Sequence, residues 1–424
     1  MAVVRLVRGM RDLLPEEARR WRALEERIVQ VLDGFAYEEV RLPLQEMTEL
    51  FARSVGAAAT DIVEKEMYSL IDRDGSSLSL RPEGTASCAR ALLESGLLRN
   101  QAQRVFYRGP MFRHERPQKG RFRQFHQIGV EAFGPPGPDV DAELIQMGTE
   151  IWRALDLSGE IQLELNTLGA PAARAAWRDA LATHLRPHRA ALDADSARRL
   201  DRNPLRILDS KLPATQALLA DAPSFDDYID DESAAHFAAL KGLLDGLGIA
   251  YVLNPRLVRG LDYYGRTVFE WTTQRLGAQG TVCAGGRYDG LVETIGGKPT
   301  AAAGFALGLE RVAMLRLALA EAAPASAVDV YCCVLEPRRQ GVVLAAVQRL
   351  RNGLPGLRFR VHAGGGSLKS QLKRANQCGA RWALLFGEDE LRDNRVTFKD
   401  LRSGAPQQAL TAQAVIERLV GEAA

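Results

Sequence analysis

The chain contains the segment RGPMFRHERPQKGRFRQFHQIGVE, residues 108–131, which predicts two strands joined by a basic loop. Arg113 and Glu115 stand before the loop, and Gln127 and Glu131 stand after it. Side chains two and four positions apart in a strand share a face, so each pair is expected to point the same way. A guanidinium beside carboxylates suits a ligand that carries phosphate together with cationic or N–H groups.

Four other motifs rich in glycine and charge occur along the chain. They are RPEGT at 81–85, RGLDYY at 259–264, AGGRYDGL at 284–291 and GFALGLER at 304–311. Together with the first segment they resemble, in order, the signatures of class II aminoacyl-tRNA synthetases in the form used by the histidyl-tRNA synthetase family. One such motif could arise by chance, whereas five in the family's order are hard to explain otherwise. The resemblance covers nearly the whole chain.

The bulk composition limits the possible classes of protein. A chain of 424 residues is too long for one ordinary core, so two or three domains are expected. Lysine plus arginine (55) barely exceeds aspartate plus glutamate (53), so any nucleic-acid surface has to be a local patch. The five cysteines include no CxxC pair and the histidines lack metal-like spacing, so neither a disulfide framework nor a metal site is expected. No segment resembles a secretory leader or a membrane span, which predicts a cytoplasmic protein with no membrane partner.

Helical and strand patterns predict how the chain is organised. Apolar residues recur at helical spacing after Pro15, and Gly34 is expected to end that helix as a left-handed cap. Strand patterns with hairpin connections predict a mainly antiparallel sheet, and residues 304–319 are expected to form a helix. Beyond a linker at 321–327, strands and helices alternate, which predicts a small, mostly parallel α/β domain.

The resemblance implies a fold class and boundaries. The class is α+β, with an antiparallel-sheet class II synthetase catalytic core and a helical insertion, followed by a small C-terminal α/β domain. The expected ranges are 1–169 and 248–322 for the core, 170–247 for the insertion and 328–424 for an anticodon-binding domain. Arginines in 170–247 are interleaved with aspartates, which by itself indicates only a solvated helical surface. A grip on the acceptor arm of tRNA is implied by the resemblance alone.

Amino acid activation needs positive charge rather than a general base. The carboxylate that attacks the α-phosphate of ATP is already an anion, so fixed arginines and a metal ion suit the reaction. No GxxxxGK[ST] loop, HExxH motif or nucleophile elbow competes with this interpretation. The resemblance implies that Arg113 contacts the α-phosphate, Arg311 the γ-phosphate, and Arg259 both the substrate carboxylate and the α-phosphate. Glu115 and Arg121 are further candidates for the nucleotide, and any single arginine could instead form a surface ion pair.

Histidine recognition requires buried acceptors, because a substrate that lacks the matching donor leaves them unpaired. The candidates for the imidazole are Glu131 and Tyr264, with Tyr263 in the same signature. The candidates for the amino group are Glu83, Thr85 and Gln127. Glu83 and Thr85 also fit a turn or helix cap after Pro82, and Tyr264 also fits an ordinary core position. Arg287 and Tyr288 are secondary candidates beside the same pocket.

The resemblance also implies the partners, which are L-histidine, ATP, tRNA(His) and a second copy of the chain in a homodimer. Mg²⁺ would arrive with ATP, bound partly by phosphates and by carboxylates. The competing interpretation is a synthetase-like regulatory subunit of ATP phosphoribosyltransferase, which shares the catalytic fold. Such subunits typically lack the anticodon domain, whereas this chain has both a C-terminal α/β pattern and the full signature at 259–264.

Overall fold

The computed structural model describes residues 3–55, 62–208, 210, 212–259, 261, 263–277, 280–319 and 326–423. Most of the expected linker at 321–327 lies outside these residues, as do Gly260 and Asp262 of the 259–264 motif. The chain divides into two compact units, residues 21–321 with 1–13 and residues 322–424 with 14–20. Within the described ranges no helix has the length and apolarity needed to cross a bilayer. All five cysteines are free thiols.

The first unit is built on one large sheet. Its elements up to the helical region are α1 (Pro15–Gly34) from residue 21 onward, β1 (Glu38–Glu39), β2 (Gln45–Met47), α2 (Thr48–Val55), β3 (Tyr68–Ile71), β4 (Ser77–Leu80), α3 (Thr85–Glu94), β5 (Gln103–Phe112), β6 (Gln124–Phe133), α4 (Pro138–Ala154) and β7 (Gln162–Thr167). The helical region contains α5 (Pro171–Leu185), α6 (Ala194–Arg202), α7 (Pro213–Leu218) and α8 (Asp231–Gly246). The chain then returns to the sheet with β8 (Val252–Leu253), β9 (Gly265–Thr272), β10 (Thr281–Arg287), α9 (Leu291–Thr294), β11 (Ala302–Gly308) and α10 (Leu309–Leu319).

The large sheet has the strand order β1-β5-β6-β11-β10-β9-β7-β8. The edge pairs β1–β5 and β7–β8 are parallel, and every pair between them is antiparallel. A separate sheet has the order β2-β4-β3. The α+β class with a mainly antiparallel core is therefore confirmed.

The hairpin β5–β6 contains the predicted strand–loop–strand segment, with residues 113–123 as its loop. On its other side β6 pairs with β11, which places Gly304 opposite Glu131 and Gly308 opposite Gln127. Residues 304–308 are thus a strand, and the prediction that the helix begins at Gly304 was wrong. The apolar pattern of these residues fits a buried central strand as well as a helix, and pairing on both edges of β11 determines the outcome.

The N-terminal helix α1 buries Trp21, Leu24, Ile28 and Leu32, as its spacing predicts. Its C-terminal cap differs from the prediction, because the left-handed residue is Ala36, with φ of 58°, and not Gly34. The amides of Tyr37 and Ala36 donate to the carbonyls of Leu32 and Asp33, the paired bonds of a Schellman motif. That motif requires the left-handed conformation two residues after Gly34, so an alanine adopts it.

The helical region shares its apolar core with the sheet. Trp177, Leu181 and Phe225 belong to the same buried cluster as Tyr264 and Tyr288 from the sheet side. Leu240 and Leu244 of α8 are buried in the other main cluster of the unit, alongside residues of α4. The helices of this region therefore pack against the central sheet.

The second unit is an α/β domain. Its elements are β12 (Val330–Val334), α11 (Gln340–Gly353), β13 (Phe359–Val361), α12 (Leu368–Gln377), β14 (Trp382–Phe386), α13 (Glu388–Arg392), β15 (Val396–Asp400), β16 (Gln408–Leu410) and α14 (Ala412–Ala423). The sheet order is β13-β12-β14-β15-β16, with two parallel pairs followed by two antiparallel pairs. The sheet is mixed and not mostly parallel, because no helix long enough for a crossover separates β14, β15 and β16.

Candidate active site

An open cleft is lined by the hairpin loop 113–123, the strands β6, β10 and β11, and the start of α10. It is lined by residues from three of the five sequence motifs, those at 108–131, 284–291 and 304–311. Five of the predicted site residues line it: Arg113, Glu115, Arg121, Gln127 and Arg311. The cleft therefore brings together four of the five residues predicted to contact the nucleotide, all except Arg259, and one residue predicted to contact the amino group.

Arg311 lines this cleft and is bonded to the backbone of β10. Its Nη1 donates to the carbonyl oxygen of Thr281 at 2.7 Å. Burial lowers the pKa of Arg311, and the nearby positive charge of Arg121 lowers it further. A cationic group whose charge is disfavoured by its surroundings gains the most from an incoming anion. The position suits a phosphate group.

Arg113 follows the last residue of β5 and turns back toward the motif at 81–85. Its Nε donates to the carbonyl oxygen of Pro82 at 2.8 Å, and its guanidinium carbon lies 5.2 Å from the ring centre of Phe125. Glu115 lies between two arginines, with carboxylate oxygens 4.0 Å from Arg113 and 3.4 Å from Arg121. The loop thus presents alternating charges to the cleft.

Gln127 has an unusual environment for a polar side chain. Its Oε1 is buried and accepts no hydrogen bond from any residue that the structure describes. An unsatisfied buried acceptor costs free energy of about 1–3 kcal/mol. A ligand with an N–H donor would satisfy it, and the ammonium group of an amino acid is such a donor.

Glu310 also lines the cleft, and the sequence analysis did not single it out. Both of its carboxylate oxygens accept the backbone N–H of His126, at 2.9 and 3.0 Å, and His126 Nδ1 lies 3.0 Å from Oε1. The His126 ring meets Trp21 edge-on at 5.2 Å. Glu310 therefore fixes the start of β6. The sequence alone does not indicate this role, because the bonded group is a backbone amide of a distant segment.

Buried polar and aromatic side chains surround Glu131, which lies on β6 with Gln127, and this cluster is called the Glu131 pocket. The Glu131 carboxylate accepts hydrogen bonds from Thr85 Oγ1 at 2.8 Å, from the Tyr107 hydroxyl at 3.1 Å and from the Tyr288 hydroxyl. Burial raises the pKa of Glu131 to about 8, outweighing the lowering effect of its hydroxyl donors. A carboxyl group poised near neutrality among hydroxyl groups is suited to recognise an imidazole, which itself titrates near pH 6.5.

Two of the pocket residues were missed or ranked low by sequence reasoning. Tyr107 was missed, although it pairs directly with Gly129, and a Cβ at Gly129 or at Gly84 would collide with its ring. Tyr288 was only a secondary candidate. The glycines in the motifs could have indicated that a bulky side chain packs close to their backbone. Which side chain this is depends on the register between β5 and β6, and the spacing of the motifs does not give that register.

Glu83 performs the capping role that the sequence left open. Its two carboxylate oxygens accept the backbone N–H groups of Thr85 at 2.6 Å and of Ala86 at 3.0 Å, at the start of α3. The side chain is buried, and burial raises its pKa. Glu83 and Glu131 are thus two buried carboxylates linked through Thr85, which bonds both of them.

Tyr263, Tyr264 and Tyr288 form the aromatic side of the pocket. The ring centres of Tyr263 and Tyr264 are 4.7 Å apart, and each lies within 6.0 Å of Tyr288. Burial raises the pKa of Tyr264 to about 12, so its hydroxyl stays protonated near neutral pH. Tyr264 is therefore both a core residue and a wall of the pocket.

Arg259 is separated from the other two arginines. It forms an ion pair with Glu270, and its guanidinium carbon lies 5.4 Å from the ring centre of Tyr264. It lines a different cavity, with residues of α5 and α6, and does not line the main cleft. A chain of contacts still joins it to Arg311, since Glu270 accepts Thr281 Oγ1 at 2.9 Å and the Thr281 carbonyl accepts from Arg311.

Within the part of the chain that the structure describes, no group of three or more His, Cys, Asp or Glu side chains has the arrangement of a metal site. The cleft offers the separate carboxylates of Glu115 and Glu310. A divalent cation held mainly by the phosphates of a nucleotide needs only one or two protein carboxylates. These residues fit an ion that enters with its nucleotide.

Each of the two units of the chain matches a known protein family model. Residues 9–312 match the family model described as histidyl-tRNA synthetase, and residues 329–422 match the model described as anticodon binding domain. The solved apo histidyl-tRNA synthetase of S. aureus shares 31% identity, with a TM-score of 0.80 over 98% of this chain and 99% of that one. The histidyl-tRNA synthetase of Nostoc is 19% identical with a TM-score of 0.73 over 99% of this chain and 100% of that one, which shows the shared fold.

A further solved structure, from Bacillus halodurans, is described as an ATP phosphoribosyltransferase regulatory subunit/histidyl-tRNA synthetase. It is 22% identical, with a TM-score of 0.61 over 86% of this chain and 95% of that one. This likeness shows a shared fold alone. The family match over 9–312, the anticodon-domain match and the identity to the S. aureus enzyme lead to one assignment: the chain is an aminoacyl-tRNA synthetase of class II and belongs to the histidyl-tRNA synthetase family.

Proposed function

We propose that this chain is a histidine–tRNA ligase that activates L-histidine with ATP and then transfers it to the 3′ end of tRNA(His). The observation that carries the proposal is the position of Arg113. This residue lines the cleft and bonds the carbonyl of Pro82, which directly precedes the pocket residue Glu83. A nucleotide in the cleft and an amino acid in the pocket would therefore meet at one guanidinium.

In the first step the histidine carboxylate attacks the α-phosphorus of ATP. The new bond joins a carboxylate oxygen to phosphorus, and the bond to the β-phosphate oxygen breaks, so histidyl-adenylate and pyrophosphate result. Arg113 would stabilise the α-phosphate and Arg311 the γ-phosphate, with Glu115 and Arg121 beside the nucleotide. Charge stabilisation by fixed donors is the main contribution, because no proton has to be removed from the nucleophile.

Arg259 would complete the set by holding the histidine carboxylate against the α-phosphate. Its guanidinium lies over Tyr264 and is paired with Glu270. An arginine can exchange one carboxylate partner for another, or bond both, because it carries five donors in a planar fork. Reaching the cleft requires Arg259 to reorient when substrate binds.

Histidine would be selected by the buried pocket. Glu131 and Tyr264, with Tyr263 behind them, would take the imidazole, and Glu83, Thr85 and Gln127 would take the amino group. The unpartnered Gln127 Oε1 and the two buried carboxylates supply acceptors for a cationic group. An amino acid without imidazole N–H groups would fill the amino-group subsite but leave Glu131 without its proposed donor from the substrate.

In the second step a hydroxyl of the terminal ribose of tRNA attacks the activated carbonyl, and AMP leaves. We propose the core as residues 1–169 and 248–322 and the helical insertion, which would hold the acceptor arm, as 170–247. Residues 328–424 would read the anticodon. The match of 329–422 to anticodon binding domains supports the last assignment.

Mg²⁺ would bind as part of the ATP substrate, with carboxylates such as Glu115 completing its coordination. The homodimer is supported by apolar side chains left exposed on the β2-β4-β3 sheet, where Ile71 is 71% and Met47 50% exposed. Large exposed apolar side chains on one small sheet favour a protein partner. A cytoplasmic location follows from the proposed role in translation.

The test is pyrophosphate exchange on the purified chain with each amino acid, followed by charging of tRNA(His). The proposal predicts exchange that depends on histidine and ATP, and histidyl transfer in the presence of tRNA. Exchange with another amino acid would refute the assigned specificity. A chain inactive in both assays, but able to activate an ATP phosphoribosyltransferase catalytic subunit, would support the regulatory alternative.

A further inference from the structure

A buried ionic cluster adjoins the Glu131 pocket through Arg287, which the sequence offered only as a secondary candidate, and its other members are assigned to neither substrate. Its centre is Asp141 of α4, whose side chain is 1% exposed. The Asp141 carboxylate accepts from Arg287 Nη1 at 2.6 Å, from His236 Nε2 at 2.8 Å and from Thr267 Oγ1 at 2.6 Å. The donors belong to β10, α8 and β9, so one carboxylate joins four elements of the fold.

Arg287 uses its remaining donors on fixed partners. Its Nη2 donates to the carbonyl of Pro135 at 2.9 Å and to Asp289 Oδ1 at 3.1 Å, and its Nη1 donates to the carbonyl of Gly137 at 3.1 Å. The side chain has no exposed surface. A guanidinium bonded in several directions cannot rotate without breaking charge-assisted bonds, so the backbone that carries it is fixed as well.

The residue after Arg287 is Tyr288, and its backbone is held from the other side too. The Tyr288 amide donates to the carbonyl of Ala302 at 2.8 Å, and Asp289 Oδ1 accepts the Ala302 amide at 2.9 Å. The hydroxyl of Tyr288 donates to Glu131. The three residues 287–289 are therefore clamped at both ends, with the pocket tyrosine in the middle.

We propose that Asp141 and Arg287 are positioning residues for histidine recognition: by fixing residues 287–289 they hold the Tyr288 hydroxyl against Glu131 and so set the geometry of the imidazole pocket. This inference rests on the proposed function. Neither residue touches the substrate. Both act through Tyr288, and His236 extends the same constraint to α8, at the end of the helical region.

Stability alone is a poor explanation for this cluster. A buried ion pair pays a large desolvation cost, and apolar residues of similar volume often stabilise a fold equally well. An apolar side chain at position 287 could fill the space, but it would not fix the direction in which the next residue points. A binding pocket needs such directional bonds, because its side chains have to be held close to the geometry in which they contact the substrate.

The experiment compares Asp141→Asn, Tyr288→Phe and the double variant in pyrophosphate exchange, with KM measured separately for histidine and for ATP. Asp141→Asn keeps the shape of the side chain at the centre of the cluster but removes its negative charge. The expected result is a histidine KM raised roughly 10-fold with an unchanged ATP KM, because a displaced hydroxyl weakens only the amino acid pocket. The double variant is expected to be no worse than Tyr288→Phe alone, because both changes act on one contact.

The matched control is Asp201→Asn, which removes an exposed ion pair with Arg189 and should leave both KM values unchanged. If Asp141→Asn does not fold, Thr267→Val is used in its place. This variant removes one hydrogen-bond donor to Asp141 and should also raise the histidine KM, by a smaller factor. Independent, multiplying effects in the double variant, or an unchanged histidine KM, would overturn the positioning role. A wild-type chain that does not exchange with histidine would instead overturn the proposed function, so the two failures are distinguishable.

Discussion

Arg113 donates from Nε to the carbonyl oxygen of Pro82 at 2.8 Å, and this bond joins the two halves of the candidate site. Arg113 follows β5 and lines the cleft, whereas Pro82 precedes the buried carboxylate Glu83. The bond therefore tethers the Arg113 guanidinium in the cleft to the backbone that leads into Glu83.

Arg113→Lys should abolish most activity although the charge is kept. Lysine carries a single ammonium group and cannot bond the Pro82 carbonyl and a phosphate in the geometry of a planar fork. We expect pyrophosphate exchange to fall by roughly 100-fold, in line with the loss of one fixed transition-state donor. Arg116→Lys, at an exposed position of the same loop, is the control and should retain normal exchange. Equal activity of the two variants would remove Arg113 from the mechanism.

Arg259→Ala should prevent adenylate formation while the chain stays folded. The change removes the proposed contact to the histidine carboxylate and leaves Glu270 still bonded by Thr281 Oγ1. A loss of roughly 100-fold or more in exchange is expected, with circular dichroism and melting temperature used to confirm folding. A variant that turns over normally would show that the ion pair with Glu270 is the whole role of Arg259.

Gln127→Met separates binding from stability. Methionine has a similar shape but no buried acceptor, so the unliganded variant should be at least as stable as the wild type. Its histidine affinity should fall roughly 10-fold or more, since a hydrogen bond to a charged group contributes about 1.5–3 kcal/mol. Calorimetric titration with histidine and thermal melting measure the two effects. A variant with reduced stability and unchanged affinity would assign Gln127 to the fold alone.

Gly304→Ala and Gly308→Ala test the packing of β11 against the pocket. A methyl group at position 304 would collide with the carboxylate of Glu131 and lie 2.5 Å from the Tyr288 hydroxyl, whereas one at position 308 meets nothing within 4 Å. Overpacking of this kind costs roughly 1–3 kcal/mol, so the first variant should melt earlier and bind histidine weakly. The second should unfold with wild-type stability. Equal unfolding free energies for both would contradict the described register of β11 and β6.

The pH dependence of stability should report the buried carboxyl of Glu131. Its pKa is raised from 4.5 to about 8, so the folded state holds a proton that the unfolded chain releases. The stabilising effect is fully present below pH 4.5 and is lost as pH rises through about 8, with a slope of up to roughly 1.4 kcal/mol per pH unit between these limits. Glu131→Gln should remove that slope. Denaturant unfolding of both proteins from pH 5 to 9 measures the difference, and parallel curves would place the pKa of Glu131 at its ordinary value.

The sequence predicted the architecture well wherever a local pattern decides it. The hairpin around the loop at 113–123 and the helix beginning at Pro15 both follow from periodicity. Gly304 to Gly308 shows where periodicity fails, because a short apolar run reads alike in a helix and in a central strand, and only its partners β6 and β10 distinguish them. The left-handed Ala36 is a similar case, since tertiary packing of Tyr37 selects the position of the cap.

The candidate site was predictable as a set of residues but not as a set of contacts. The resemblance of the motifs to a known family indicated Arg113 and Arg311, which the fold places in one cleft, and Glu131, which lies on the strand β6 that also carries the cleft residue Gln127. It could not identify Tyr107, whose contact with Glu131 depends on cross-strand register, or Glu310, whose partners include a backbone amide. Long-range contacts of this kind depend on how distant segments pair, and that information is not contained in any single stretch of sequence.

The most direct measurement is a crystal structure of the chain with L-histidine and a non-hydrolysable ATP analogue. We expect the nucleotide in the cleft and the imidazole in the Glu131 pocket. We also expect a histidine carboxylate oxygen roughly 3–3.5 Å from the α-phosphorus, with Arg113 bonded to the phosphate. A complex in which the two ligands occupy separate cavities, with Arg113 in contact with neither, would contradict this expectation.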